Sequence, residues 1–115
     1  MGLFNSVTAV AMNSALNALS QRQRAIANNV ANVQTPGFRA QRVHFESALR
    51  AAVANGNGAV TATTRRSLEP TRLDGNNVNL ETEVLSNIDT NLRYSLAIKS
   101  IDGQFSSIRT AMRTS

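Results

Sequence analysis

LETEVLSNIDTNLRYSLAIKSIDGQFSSIRTAM, residues 80–112, is the stretch whose reading decides the fold. Taken in alternating steps of four and three, it yields Leu80, Val84, Asn87, Asn91, Tyr94, Ile98, Ile101, Phe105, Ile108 and Met112. Eight of these ten positions are apolar or aromatic, the pattern of a long amphipathic helix lying along another helix. A second stripe, Leu85, Ile88, Leu92 and Leu96, runs beside the first. A helix with two apolar sides needs two neighbours. At about 1.5 Å per residue the element is roughly 50 Å long, more than a compact domain of this size covers. Part of its surface is therefore expected to be satisfied from outside its own chain.

The partner within the chain is at the other end. Met12, Leu16, Leu19, Gln23, Ile26, Val30 and Val33 keep the same rhythm, and Leu3, Val7 and Val10 precede them out of phase by a short stutter. Seven alanines between residues 9 and 31 fill much of the remainder, favouring the helix and allowing close approach. The helix is expected from Leu3 to about Val33, ending near Gln34. Pro36 cannot continue it, Thr35 is pushed towards extended backbone, and Gly37 permits a turn. Asn28, Asn29 and Asn32 crowd its last turns. They form either a polar face on a fraying end, or a set of amides that bond the backbone of an adjoining subunit.

Between the helices the chain changes character. Val43-His44-Phe45 suits an extended piece, followed by a short helix through Leu49 and Val53. Asn55-Gly56-Asn57-Gly58 and the small polar residues after it read as a flexible loop over 55–64 holding at most one short strand. Pro70 marks an irregular stretch from Arg65 to Leu73. Asp74-Gly75-Asn76-Asn77 reads as a turn into the second helix, with Asn77 or Asn79 as its N-cap and Glu81 and Glu83 suited to its dipole. The expected fold is mainly α. Residues 1–35 and 76–115 pair as a coiled-coil-like hairpin that forms one helical inner domain, and 36–75 form an irregular middle segment. So many seam partners are alanine that a lone two-helix pair is marginal against the entropy of ordering it. The termini are expected to become rigid when copies pack side by side.

Composition excludes more than it suggests. Of 115 residues five are aromatic, and no Cys is present, so disulfides, thiolate metal sites and thiol nucleophiles are ruled out. The net charge of +5 comes from eleven Arg and one Lys spread along the chain, without the block that marks a nucleic-acid or lipid patch. No apolar run approaches the roughly 20 residues of a membrane span, and Asn5, Ser6, Asn13 and Ser14 interrupt any secretory signal core. His44 has no second histidine to share a metal. Glu81 and Glu83 point to different helix faces, Asp89 and Asp102 are isolated, and no serine sits in a nucleophile-elbow context. Neither enzyme nor cofactor binding is expected.

Two stretches are nonetheless distinctive. ANNVANVQTPGF, residues 27–38, resembles the N-terminal signature of bacterial flagellar rod and hook proteins. DGNNVNLETE (74–83), NLRY (91–94) and FSSIRTA (105–111) resemble the proximal rod type within that family. The resemblance covers about residues 3–38 and 72–113. It implies a structural subunit of the basal-body proximal rod, part of the drive shaft and of the export channel wall, with both terminal helices packed in the inner layer of a helical assembly. The implied location is the periplasmic part of the flagellum, reached through the flagellar type III apparatus without a cleaved signal peptide. Other copies, other rod proteins and the basal-body adaptor and export-gate proteins are the implied partners; nucleic acid and direct membrane insertion are not. Inter-subunit contacts are expected from Val7, Leu16, Leu19, Ile26 and Val30 on the first helix. On the second they are expected from Leu85, Ile88, Leu92, Ile98, Ile101, Phe105 and Ile108. Asn28, Asn29 and Asn32 would fix the bend before Thr35, Pro36, Gly37 and Phe38. The alternatives are another rod or hook component, a freestanding helical adaptor, or a basic nucleic-acid module, the last disfavoured by the dispersed arginines.

Overall fold

The computed structural model describes residues 6–114 (for residues 6, 104–108, 111, 113 and 114, the backbone alone). Five elements follow in order: α1 (Ser6–Ala31), β1 (Gln41–His44), α2 (Glu46–Ala54), β2 (Thr63–Arg66) and α3 (Leu80–Thr114). The architecture is mainly helical, with long helices at both ends and a small two-stranded sheet between them, as the periodicity predicts. The expected start of the first helix at Leu3 lies outside the described residues.

α1 and α3 run antiparallel, since Asn29 meets Glu83, Gln23 meets Asn91, and Ala18 and Leu19 meet Tyr94. β1 and β2 pair antiparallel, with Gln41 opposite Arg66, Arg42 opposite Arg65, Val43 opposite Thr64 and His44 opposite Thr63. β2 thus takes the place of the short strand allowed for in the 55–64 loop and runs on into Arg65 and Arg66, expected as irregular chain. The ribbon and α2 pack on α1. Phe45, between β1 and α2, enters the main core beside Ala18 and Leu19, with Ala15, Leu49, Val60, Ala62 and Tyr94 around it.

That core is thin. The chain trace measures 67 × 26 × 14 Å, long and shallow. Its radius of gyration of 18.0 Å exceeds the roughly 13 Å of a compact chain of this length. So elongated a body buries little, and the only large apolar side chains buried are Leu19, Ile26, Val43, Phe45 and Val78 among the described residues.

α1 ends at Ala31, three residues before the expected Gln34. The Asn32 side chain turns back to the carbonyl of Asn28 at 2.8 Å, while the Asn32 and Val33 amides make short-range bonds to Asn29 and Val30. A side-chain amide that returns to the backbone competes with the next helical turn.

Candidate assembly surface

α3 presents its faces in an unusual order. The side against α1 carries Glu83 and Thr90, both fully buried, with Ser86, Tyr94, Ala97 and Ile101 half-buried. The opposite side carries Leu80, Val84, Leu85, Ile88, Leu92 and Leu96, all exposed, with Leu85, Ile88 and Leu92 at 68%, 60% and 58%. The 4-3 seam therefore does not meet α1 along its length. A straight helix drifts about 20° per heptad from a 3.5-residue repeat. Accordingly, Leu80 and Val84 face outward, whereas Tyr94 and Ile101, further along, have rotated towards α1. On the inward side Thr90 satisfies its hydroxyl on the Ser86 carbonyl at 2.7 Å.

The inward carboxylate is held at the centre of a polar knot. Glu83 Oε1 accepts from Asn29 Nδ2 at 2.8 Å and Oε2 from Arg42 at 2.8 Å. The Asn29 amide also takes the backbone N–H of Gln41 and donates to its carbonyl, at 2.9 and 3.0 Å. One asparagine thus joins α1, β1 and α3. Neither sequence reading of that amide includes this arrangement, in which it is fully buried and bonded to a strand edge and a carboxylate of its own chain. Glu83, expected only to suit the helix dipole, is the acid that makes the knot neutral.

The two distinctive stretches also meet. Gly37 donates its N–H to the Asp74 carbonyl at 2.8 Å, and a Cβ on Gly75, which has φ +83°, would lie 3.2 Å from Gly37 Cα. Asn76 Nδ2 donates to the carbonyls of Asn32 and Thr35, both at 2.8 Å, and its oxygen accepts from the Val78 amide. Arg72 reaches the Val33 and Val78 carbonyls, each at 2.7 Å. Asn77 closes the end of the ribbon: its oxygen takes the Ala40 N–H, and its nitrogen donates to Ser67 and Glu69 carbonyls. Residues 72–77, expected as an irregular stretch and a turn into α3, also bind the carbonyls of Asn32, Val33 and Thr35 in the bend that follows α1. The N-cap of α3 is Asn79, whose oxygen accepts from Glu81 and Thr82.

Two further ties hold the middle segment to α1. Arg22 grips both oxygens of Glu46 at 2.7 and 2.8 Å, donates to the Val43 carbonyl, and lies 4.9 Å over the Phe45 ring. Arg93 of α3 reaches the same carboxylate at 3.2 Å. The Arg22 hydrogen bond is the main cause that holds the Glu46 carboxyl below its ordinary value. At the other end, the Ser14 hydroxyl donates to the Gly58 carbonyl and accepts from the Val60 amide. This places the 55–60 loop on α1, with Gly58 buried there.

The residues expected to contact other subunits divide accordingly. Leu85, Ile88, Leu92 and Ile98 are exposed on α3, and Val30 is exposed on α1. Val7, Leu16 and Ile101 are half-buried. Leu19 and Ile26 are buried by this chain's own elements, because α1 meets α3 on one side and the ribbon and α2 on another. The side chains of Phe105 and Ile108 lie outside those described. Asn28, Asn32 and Thr35 bond among themselves at the bend, and Pro36 and Gly37 are exposed there with Phe38 half-buried. Among the described residues no helix is long and apolar enough to cross a membrane.

Residues 10–39, most of α1 and the bend after it, match the family model described as flagella basal body rod protein. Over most of the chain there are relatives too. Flagellar basal body rod protein FlgB of Escherichia coli (strain K12) is 30% identical over 87% of this chain and 88% of its own. That of Borrelia hermsii is 32% identical over 70% and 77%, and that of Bacillus subtilis (strain 168) is 24% identical over 97% of each. The chain belongs to the flagellar basal body rod protein family. Within that family, these three relatives all carry the FlgB name.

Proposed function

We infer that the chain is a non-enzymatic structural subunit of the flagellar rod, in its proximal part, and that it assembles helically through its terminal helices. Family membership supports the rod, and the FlgB relatives support the proximal position. The observation that carries the assembly mode is the outward apolar side of α3, with six large side chains exposed from Leu80 to Leu96. Monomeric proteins rarely expose contiguous apolar patches of that extent unless a partner covers them.

In this reading α1 and α3 act as one helical unit, and residues 36–75 elaborate its side. Leu85, Ile88, Leu92 and Ile98 bury against neighbouring copies or other rod proteins, with Val30 at the rim. Leu19 and Ile26 serve the subunit's own fold. The corner where Gly37 meets Gly75 sets the direction in which the middle segment leaves the helices. Repetition of the subunit around an axis gives a stiff tube wall enclosing the export channel, near the adaptor and export gate of the flagellar type III apparatus, in the periplasmic space.

Leu92→Asp tests this. An exposed substitution leaves the subunit fold close to unchanged, so the variant is expected to give soluble, helical protein and no rod assembly or motility. Basal bodies assembled normally from Leu92→Asp protein would overturn the assignment of this face.

A further inference from the structure

The β1–β2 ribbon has one closed edge and one open edge. Ser67 donates its N–H to the Ala40 carbonyl at 2.7 Å, which fixes the parity of the antiparallel ladder: Arg42 with Arg65 and His44 with Thr63 exchange backbone bonds. The backbone groups of Gln41 and Val43 then point away from β2, towards α1. There the Asn29 amide takes both groups of Gln41, and Arg22 takes the Val43 carbonyl at 2.6 Å. Side chains of α1 thus stand in for a third strand along that edge.

Thr64 and Arg66 have the same parity on the other strand, so their N–H and C=O groups point outward. Among the described residues nothing bonds to them, and all four residues of β2 are exposed. An unpaired edge is a template for an added strand. The charges on it select the kind of strand. Arg65 and Arg66 point to opposite faces of the ribbon and have no acidic partner among the described residues. Arg42, directly opposite Arg65, gives its guanidinium to Glu83 instead.

We propose that the outer edge of β2 is a docking site for an extended acidic segment of a partner protein, which adds as a third strand beside Thr64 and Arg66. Adjacent acidic residues at its centre would meet Arg65 on one face and Arg66 on the other. A second copy of β2 is the poorer occupant. Pairing Thr64 with Arg66 of the other copy in both directions sets Arg65 opposite Arg65, and like charges directly opposite destabilise a sheet. The proposal is independent of the apolar side of α3, and goes beyond rod assembly by giving the middle segment its own partner.

The probe is the blocked hexapeptide acetyl-VTEDTV-amide, with acetyl-VTKKTV-amide as its control, titrated into isotope-labelled full-length chain. Binding of the acidic peptide alone is expected, with amide shifts centred on residues 63–67, exchange protection gained at Thr64 and Arg66, and weakening as salt rises. Thr64→Pro removes an outward N–H without touching the ladder and should abolish binding. Arg65→Glu with Arg66→Glu keeps the backbone edge and should reverse the preference to the basic peptide. Equal binding of both peptides, absence of binding by the acidic one, or unchanged binding by the double variant would each overturn the proposal. So would concentration-dependent protection of Thr64 with no peptide present, which would indicate pairing between copies. Leu92→Asp should bind the acidic peptide as well as wild type does, so failure of the assembly reading is separable from failure here.

Discussion

The side of α3 that meets α1 carries Glu83, Ser86, Thr90 and Ala97 with only Tyr94 and Ile101 as large apolar members, whereas the side turned to solvent carries Leu80, Val84, Leu85, Ile88, Leu92 and Leu96. A helix of a self-sufficient domain has the opposite order, with its apolar stripe inward. In this chain specificity within the subunit is polar: directed hydrogen bonds from Asn29, Arg42 and Gln23 set where the helices meet and in which register. The apolar area is left in solvent, which suits the contacts between subunits proposed above, since a non-directional attraction fits a repeated surface. The comparison teaches that a thin core and a greasy exterior are two aspects of one design, since residues that would have thickened the core have been turned outward.

Substitutions on the two sides should therefore behave oppositely, and the inward side gives the largest effects on stability. Glu83→Ala leaves the half-buried Arg42 without its carboxylate and the fully buried Asn29 short of an acceptor. A loss of about 3–5 kcal/mol is expected in denaturant unfolding; a loss below about 1 kcal/mol would mean that the knot is dispensable. Asn76→Ala removes donors to two carbonyls and an acceptor for Val78, and should cost at least about 2 kcal/mol with fraying at the end of α1. Hydrogen exchange at residues 29–33 would report that fraying directly. Gly58→Ala puts a methyl group 2.8 Å from the Val7 carbonyl oxygen at φ +84°. About 1–3 kcal/mol should be lost, with the loop lifted from α1.

A smaller effect is expected at Glu46, whose side chain is 37% exposed. Its folded carboxyl titrates below its unfolded one, so the unfolded state binds more protons between those values and stability rises with pH there. The contribution is present at neutral pH and disappears as pH falls through the folded value. Because solvent screens the pair, it should stay below about 1 kcal/mol. Unfolding midpoints of wild type and Glu46→Gln should differ at pH 7 and converge in acid; a gap that widens in acid would reverse the sign. The least change in subunit stability, within about 0.5 kcal/mol, is expected from Leu92→Asp, the variant expected to abolish assembly. If it unfolded the subunit as Glu83→Ala does, the contrast between the two sides would fail.

Much of this was legible beforehand and some was not. The second stripe, Leu85, Ile88, Leu92 and Leu96, announced a face in need of a neighbour, and the structure leaves it exposed. The seam through Leu80 and Val84 was wrongly aimed at α1, because alternation of four and three describes a supercoiled partner and not a straight one. Asn76 and Asn77 read as turn residues and Arg72 as part of an irregular stretch, since nothing in DGNN reveals a bond to a carbonyl some forty positions earlier. Glu83 looked like a dipole residue for the same reason: its partners Asn29 and Arg42 are remote in sequence. Alternation of Val43 and Phe45 pointed to a strand, but the partner strand, TTRR, has no apolar pattern to show it.

By itself the amino-acid sequence determined two long terminal helices, a break at Pro36-Gly37 and an apolar surface too large for one copy. These follow from local propensity and period, which act over a few neighbouring residues. Only the tertiary structure decided which side of α3 faces inward, which amides cap which carbonyls, and which edge of the ribbon stays open. Those choices rest on hydrogen bonds between residues far apart in the chain, and a bond's geometry exists only once both partners have been brought together.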